Sequence, residues 1–295
     1  MFTVKSSGVL AFAAGLAVLA GCGSVPAGQP SPSSAPRSPA ASAPVSGTPA
    51  PSGTRAPASS SACAAAGTYL TAIQTGQHAG FDRVVFEFSG GTPAYGATVV
   101  KTVYADPEGD AVPLAGQALL RVVFRGATAW CAAPSGRTYA GPSVLTPYYP
   151  QLLVVGAAGD FEQVLSFGVG LAAPGSYHIY ALTGPDRVVL DVSHVALGAF
   201  PGIWDITSWQ QYWAAQYAWS NGHQPWLSDP AMVVEAWSRS RWQTAPVVRQ
   251  VSAGTFQVTE PGGRIDTVTG TRPVTVPGPW VITKITYGTA DAGGA

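Results

Sequence analysis

The chain is expected to be mainly β: an antiparallel β-sandwich followed by a small α+β module rich in tryptophan. Three observations predict this. Between about residues 63 and 200, seven short segments alternate apolar and polar residues, with Gly/Pro turns between them. Eight of the nine tryptophans fall between Trp204 and Trp280, among two segments of helical periodicity. Apolar residues make up 46% of the 295 and charged residues only 10%. The chain therefore has material for extended cores, and its length gives a soft prior of about two folded units.

Charge narrows the partners. Lys+Arg and Asp+Glu balance at 15 each, and neither end carries a charged tail. No basic field exists to draw phosphate backbones, which argues against nucleic acid as a partner.

The first residues decide the compartment. Lys5 supplies a positive start, Val9 to Leu19 is an apolar run, and Leu19-Ala20-Gly21-Cys22 closes it. The run is shorter than the roughly 20 residues of a spanning helix and ends in small residues, so 1–21 reads as a signal peptide. The closing tetrapeptide resembles the bacterial lipobox, in which the chain is cut before a diacylated cysteine. The resemblance implies lipidation at Cys22, palmitate included, and an extracytoplasmic protein lipid-anchored to the outer face of the plasma membrane. Two acyl chains are what stable anchoring takes. The alternative is an ordinary secretory signal with a chance cysteine. Export also suits the cysteine count. With Cys22 set aside, Cys63 and Cys131 remain as an even pair, which an oxidising compartment would join. Closing such a loop would stabilise the fold by roughly 4 kcal/mol; two free buried thiols are the alternative.

Residues 22–62 read as a linker. Of the 40 residues from 23 to 62, 29 are Pro, Ser or Ala, and Arg37 and Arg55 are the only charges. No apolar periodicity offers a core to offset ordering entropy. Prolines favour extended backbone at about 3.1 Å per residue, a reach on the order of 100 Å.

The sandwich is expected over 63–199. Val84, Phe86 and Phe88 alternate onto one face, with Arg83 and Glu87 on the other. Further strands are predicted at 97–104, 118–125, 151–155, 161–169, 177–182 and 187–192. Turns are predicted at Gly90-Gly91, Asp106-Pro107, Pro134-Ser135-Gly136, Pro174-Gly175 and Gly184-Pro185. Asp82-Arg83-Val84-Val85-Phe86-Glu87-Phe88 and Asp186-Arg187-Val188-Val189-Leu190-Asp191-Val192 share one pattern. Two such strands side by side would pair Arg with carboxylate across the ladder.

Four segments carry a family resemblance. Gly80 to Phe88, Leu114 to Leu119, Gly159 to Leu171 and Pro185 to Val192 resemble, in order and spacing, the AMIN-like domain of actinobacterial lipoproteins. The match spans roughly residues 78 to 195. Related AMIN domains are β-sandwiches that place cell-wall hydrolases and secretins by binding envelope components, peptidoglycan among them. The resemblance therefore implies a β-sandwich that binds a cell-wall component, and it brings no catalytic residues with it.

The module at 200–290 changes character, and 291–295 is expected to be a flexible tail. Ser208 to Ser220 is predicted to be a helix, with Ser208 and Gln211 starting it, Trp209, Tyr212, Trp213, Gln216 and Tyr217 at helical spacing, and Asn221-Gly222 stopping it. Asp229-Pro230 starts a second helix, with Val233, Val234 and Trp237 on its inner side. Strands are then predicted at 247–251, 255–259, 273–276 and 280–287.

Residues arranged for chemistry are sparse. His78, His178, His194 and His223 are scattered, with no His-x-x-x-His and no Cys-x-x-Cys, so no metal site is expected. Gly-x-Ser-x-Gly and the phosphate-loop motif are absent. Asp160 and Glu162, two residues apart, would share a strand face as a surface pair more readily than as a hydrolytic one. No cofactor is implied. Most tryptophans are expected in a core. Trp226, in the loop with His223 and Gln224, is the exposed one and the candidate binding group. The reading is a non-catalytic, membrane-tethered module that binds peptidoglycan or another wall glycan. A scaffold recruiting an envelope protein is the alternative, and a hydrolase the third.

Overall fold

Alternation builds the first sheets. The computed structural model describes residue 63 and residues 66–132, 135–242 and 246–289. The predicted signal peptide at 1–21, Cys22, the predicted linker at 22–62 and the predicted tail at 291–295 lie outside the described residues. In chain order come β1 (Thr68–His78), β2 (Phe81–Ser89), β3 (Ala94–Val100), β4 (Ala118–Arg125), β5 (Ala127–Thr128), β6 (Trp130–Ala132), β7 (Ser135–Arg137), β8 (Val144–Leu145), β9 (Leu152–Phe161), β10 (Val164–Leu171), β11 (Tyr177–Leu182) and β12 (Asp186–Ser193). They form two five-stranded sheets, ordered β11-β12-β2-β1-β5 and β3-β4-β10-β9-β8, with β6 and β7 as a separate ribbon. The inner faces share one core. Val84, Phe86 and Phe88 from the first sheet meet Phe124, Phe167 and Val169 from the second. Phe86 lies 4.9 Å from Phe124 and 5.1 Å from Phe167 between ring centroids, within the range where tilted rings attract.

The outer face of the second sheet is covered. Its strand β10 turns Leu165, Phe167 and Val169 inward and Ser166, Gly168 and Gly170 outward. These small residues leave a trough in which the segment from Val103 to Gly116 lies. A Cβ on Gly170 would stand 2.0 Å from the Ala115 carbonyl oxygen, a backbone atom, so only glycine permits that approach; one on Gly168 would stand 2.6 Å from the tip of the Leu114 side chain. β9 is buried on both sides: Leu152 and Val155 join the sandwich core, while Leu153 and Val154 join a second core beyond it. An unbroken apolar run is what such a strand requires.

That second core belongs to the C-terminal elements α1 (Trp209–Ser220), α2 (Pro230–Arg241), β13 (Val247–Ser252), β14 (Thr255–Thr259), β15 (Ile265–Thr271) and β16 (Val281–Thr286). The four strands pair in sequence order as an antiparallel sheet. The Ser208 hydroxyl accepts the Gln211 N–H at α1, and the Asp229 carboxylate accepts the Ala231 N–H at α2, each relieving one of the orphan donors of a helix start. Tyr212, Trp213, Val233, Val234 and Trp237 are buried here with Ala115, Leu153, Val154 and Ala172 of the sandwich. Gln216 fastens the joint: its Oε1 accepts the Gly116 N–H at 2.9 Å and its amide donates to the Pro277 carbonyl at 3.0 Å.

Several predicted elements are redrawn. β1 adds a strand to those predicted; a register shift between Leu70 and Ala72 breaks its alternation and hides it in the sequence. The strand expected at 97–104 is β3 at 94–100, since Val103 belongs to the covering segment. The strands expected at 151–155 and 161–169 are the two arms of one hairpin, β9 and β10. Its turn residues Glu162 and Gln163 have φ of 49° and 59°, the left-handed pair a two-residue hairpin needs, more often supplied by Asn-Gly. No strand forms at 273–276; β15, at 265–271, takes its place in the sheet.

Candidate functional site

The loop singled out from the sequence presents little free surface for stacking. His223 and Gln224 are exposed, and Gln224 takes a left-handed conformation ahead of a 3-10 turn over Pro225–Ser228. Trp226, expected to be exposed, is half-buried and packs on the second core. The Trp280 N–H donates to the Leu227 carbonyl at 2.7 Å, tying the turn down. Trp213 and Trp237 are buried, and Trp204, Trp209, Trp242 and Trp280 are half-buried against the same core. Trp219, in the last turn of α1, is half-buried outside that cluster, which leaves Trp130 on β6 as the exposed tryptophan, at 51%.

Trp130 borders a cleft of about 470 Å³ at the open edge of the sandwich, where β1 of one sheet faces β9 of the other. Its floor is apolar: Leu70, Leu165 and Phe167. Trp130, Arg137 and Tyr139 rise on one side, and Asp106, Glu108 and Asp160 supply acidic groups around it. An apolar floor with a few convergent polar groups is the usual form of a ligand site. A hollow of similar size, about 440 Å³, runs along β3 and β4 beside Arg121 and Arg125. No buried aromatic ring floors it, so the cleft is the better candidate.

Both neighbours of Trp130 are fixed. On one side, the Asp160 carboxylate accepts from the Thr128 hydroxyl at 2.9 Å and the Ala129 N–H at 2.8 Å. On the other, Cys131 is buried and joined to Cys63, with 5.8 Å between their Cα atoms. The strand alternates, so an inward Cys131 turns Trp130 outward. Across the ribbon, Trp130 is in register with Arg137. Tyr139 donates to the Pro142 carbonyl at 3.1 Å, and burial pushes its phenol pKa up, which keeps it a donor.

The carboxylates are engaged unevenly. Asp106 is ion-paired with Arg121. Asp160 holds the ribbon, and Glu162 sits on the hairpin turn outside the cleft lining, so the two do not converge on a common point. Asp82 and His194 form a different pair, with Nε2 to Oδ1 at 2.8 Å. The second Asp82 oxygen accepts the N–H groups of Gln151 and Leu152 at 2.7 and 2.9 Å, so this fully buried carboxylate clamps the start of β2 to the start of β9. Among the described residues, no cluster of His, Cys, Asp or Glu could hold a metal ion, and no helix is long and apolar enough to cross a membrane.

Sequence reasoning missed Trp130 because it stands apart from the tryptophan-rich tail. The available signal was its place beside Cys131, seven residues from Arg137. No curated protein and no solved structure matches this chain. From the first residue of β1 to the histidine that follows β12, residues 68–194 match the family model of the AMIN-like domain.

Proposed function

We propose that the protein is a non-catalytic envelope lipoprotein whose AMIN-like sandwich binds cell-wall glycan, peptidoglycan in the first instance, at the Trp130 cleft. The observation that carries this reading is an exposed indole held between two anchors over an apolar floor, with polar groups around it. Flat aromatic faces suit the apolar faces of sugar rings, and the polar rim suits their hydroxyl and amide groups. The AMIN-like match, which suggests an extracytoplasmic envelope protein, supports the setting. The Leu19-Ala20-Gly21-Cys22 signal supports a lipid tether at Cys22. The module over 200–290 then serves to cover the outer face of the second sheet.

Soluble protein starting at Ala56 should sediment with purified peptidoglycan sacculi. Trp130→Ala should weaken that binding by roughly tenfold, about 1.4 kcal/mol, whereas His223→Ala should leave it unchanged. Equal binding by wild type and Trp130→Ala would move the site elsewhere. No binding by either would favour a protein partner, sought by cross-linking in whole cells. In the full chain, Cys22→Ser should release the protein from the membrane fraction.

A further inference from the structure

The geometry points to a carboxylate-bearing sugar as the ligand of the Trp130 cleft, recognised by Arg137. This rests on the glycan-binding reading and narrows it to one ligand class. Trp130 and Arg137 are direct cross-strand partners on the β6–β7 ribbon, and both are exposed. Partners of that kind project from the same face about 5 Å apart at Cβ. A sugar ring stacked on the indole therefore carries its substituents into reach of the guanidinium.

The other charged groups of the cleft do not offer the same opportunity. Asp106 is neutralised by Arg121, and Asp160 is occupied by Thr128 and Ala129. Glu108 lies in the separate loop that Asp106 joins to β9. Among the described residues Arg137 is the only cation lining the cleft, and its side chain makes no hydrogen bond or ion pair there. A guanidinium fork with free donors beside a flat aromatic face matches a planar carboxylate held on a ring.

Two kinds of wall sugar present such a group. A uronic acid has its carboxylate on the ring. A lactyl-ether amino sugar exposes its carboxylate when no peptide is attached; where a peptide is attached through an amide, the charge is absent. In the second case the reaction class that supplies the ligand is hydrolysis of that amide, with water adding to the carbonyl, the amine leaving and the carboxylate remaining on the sugar.

The test uses the full chain in detergent micelles and three soluble probes followed by titration calorimetry: a neutral N-acetylglucosamine disaccharide, its counterpart with one lactyl carboxylate, and a uronic-acid disaccharide. At least one acidic probe should bind about tenfold more tightly than the neutral one, with the preference shrinking as salt is raised. Arg137→Gln should erase the preference, so that acidic and neutral probes bind alike, whereas Trp130→Ala should weaken all three. Tighter binding of the lactyl probe identifies a peptide-free wall glycan as the source; tighter binding of the uronic probe identifies an acidic polysaccharide. Equal affinity for neutral and acidic probes, a preference that survives Arg137→Gln, or no binding of any probe overturns the inference. Sacculus sedimentation reports separately whether the wall-binding reading survives.

Discussion

Arg83 and Asp191 show how far single residues could be read. Their strands share a pattern in the sequence, and β2 and β12 do lie side by side with Arg83 opposite Asp191 and Glu87 opposite Arg187. The guanidinium meets the carboxylate in two contacts of 2.7 and 2.8 Å, and a third donor, the Tyr180 hydroxyl, reaches the same site. Burial alone would raise the Asp191 pKa, but the hydrogen bonds and charge of Arg83 outweigh it and hold the group below its ordinary value. A depressed folded-state value contributes stability that is present above the unfolded pKa, near 4, and lost as pH falls through the folded one. Asp191→Asn should therefore cost about 1–2 kcal/mol at pH 7 in urea titrations. The gap from wild type should close as pH drops below about 4. A gap that stays constant with pH would mean the pair sets register without charge-dependent stability. Trp130 was not legible in the same way, because nothing local tells an exposed aromatic from a core one. Its exposure follows from Cys131 facing inward, which depends on where Cys63 lies.

At the scale of elements, strands with one buried face were legible and strands with unusual surroundings were not. β2 and β12 alternate cleanly, and the caps of α1 and α2 carry their usual residues. β10 is legible from Val164 on, but a strand starting at 161 runs through the hairpin turn, because Glu162 and Gln163 take the left-handed conformation without the usual Asn-Gly signal. The β6–β7 ribbon is the element most dependent on a staple. It is three residues to a strand, too short to persist alone, and it is held by Asp160 and by the disulfide to Cys63 across 68 residues of sequence. Cys63→Ala should cost roughly 4 kcal/mol on the chain-entropy account. For a unit of this size that lowers Tm on the order of 10 °C in differential scanning calorimetry. Wall binding at a temperature where the variant is still folded should fall as well, because the disulfide holds the ribbon bearing Trp130. Unchanged binding would show that Asp160 alone positions the indole.

At the scale of the whole molecule, the two modules read from the sequence share a core. Composition separates them at about residue 200, yet the described residues fall in one compact unit. Ala115, Leu153, Val154 and Ala172 of the sandwich are buried by side chains of the C-terminal elements. Gln216 adds a polar bond on each side of the joint. Leu152-Leu153-Val154-Val155 was the visible trace of this, since a strand apolar on both faces requires a layer on each. A chain ending at Ala199 would uncover the Leu153 and Val154 side chains together with the trough segment that carries Ala115, a contiguous apolar face of the kind that drives association. Such a chain should elute from size exclusion as oligomers and bind a hydrophobic dye, whereas the chain to Ala295 should do neither. A monomeric, dye-silent fragment would mean that the sandwich closes its own outer face and that the tryptophan-rich module is free to act separately. If the fragment associates as expected, the module is a wall of the sandwich, and the stretch Leu152-Leu153-Val154-Val155 of β9 is held by a core on each face.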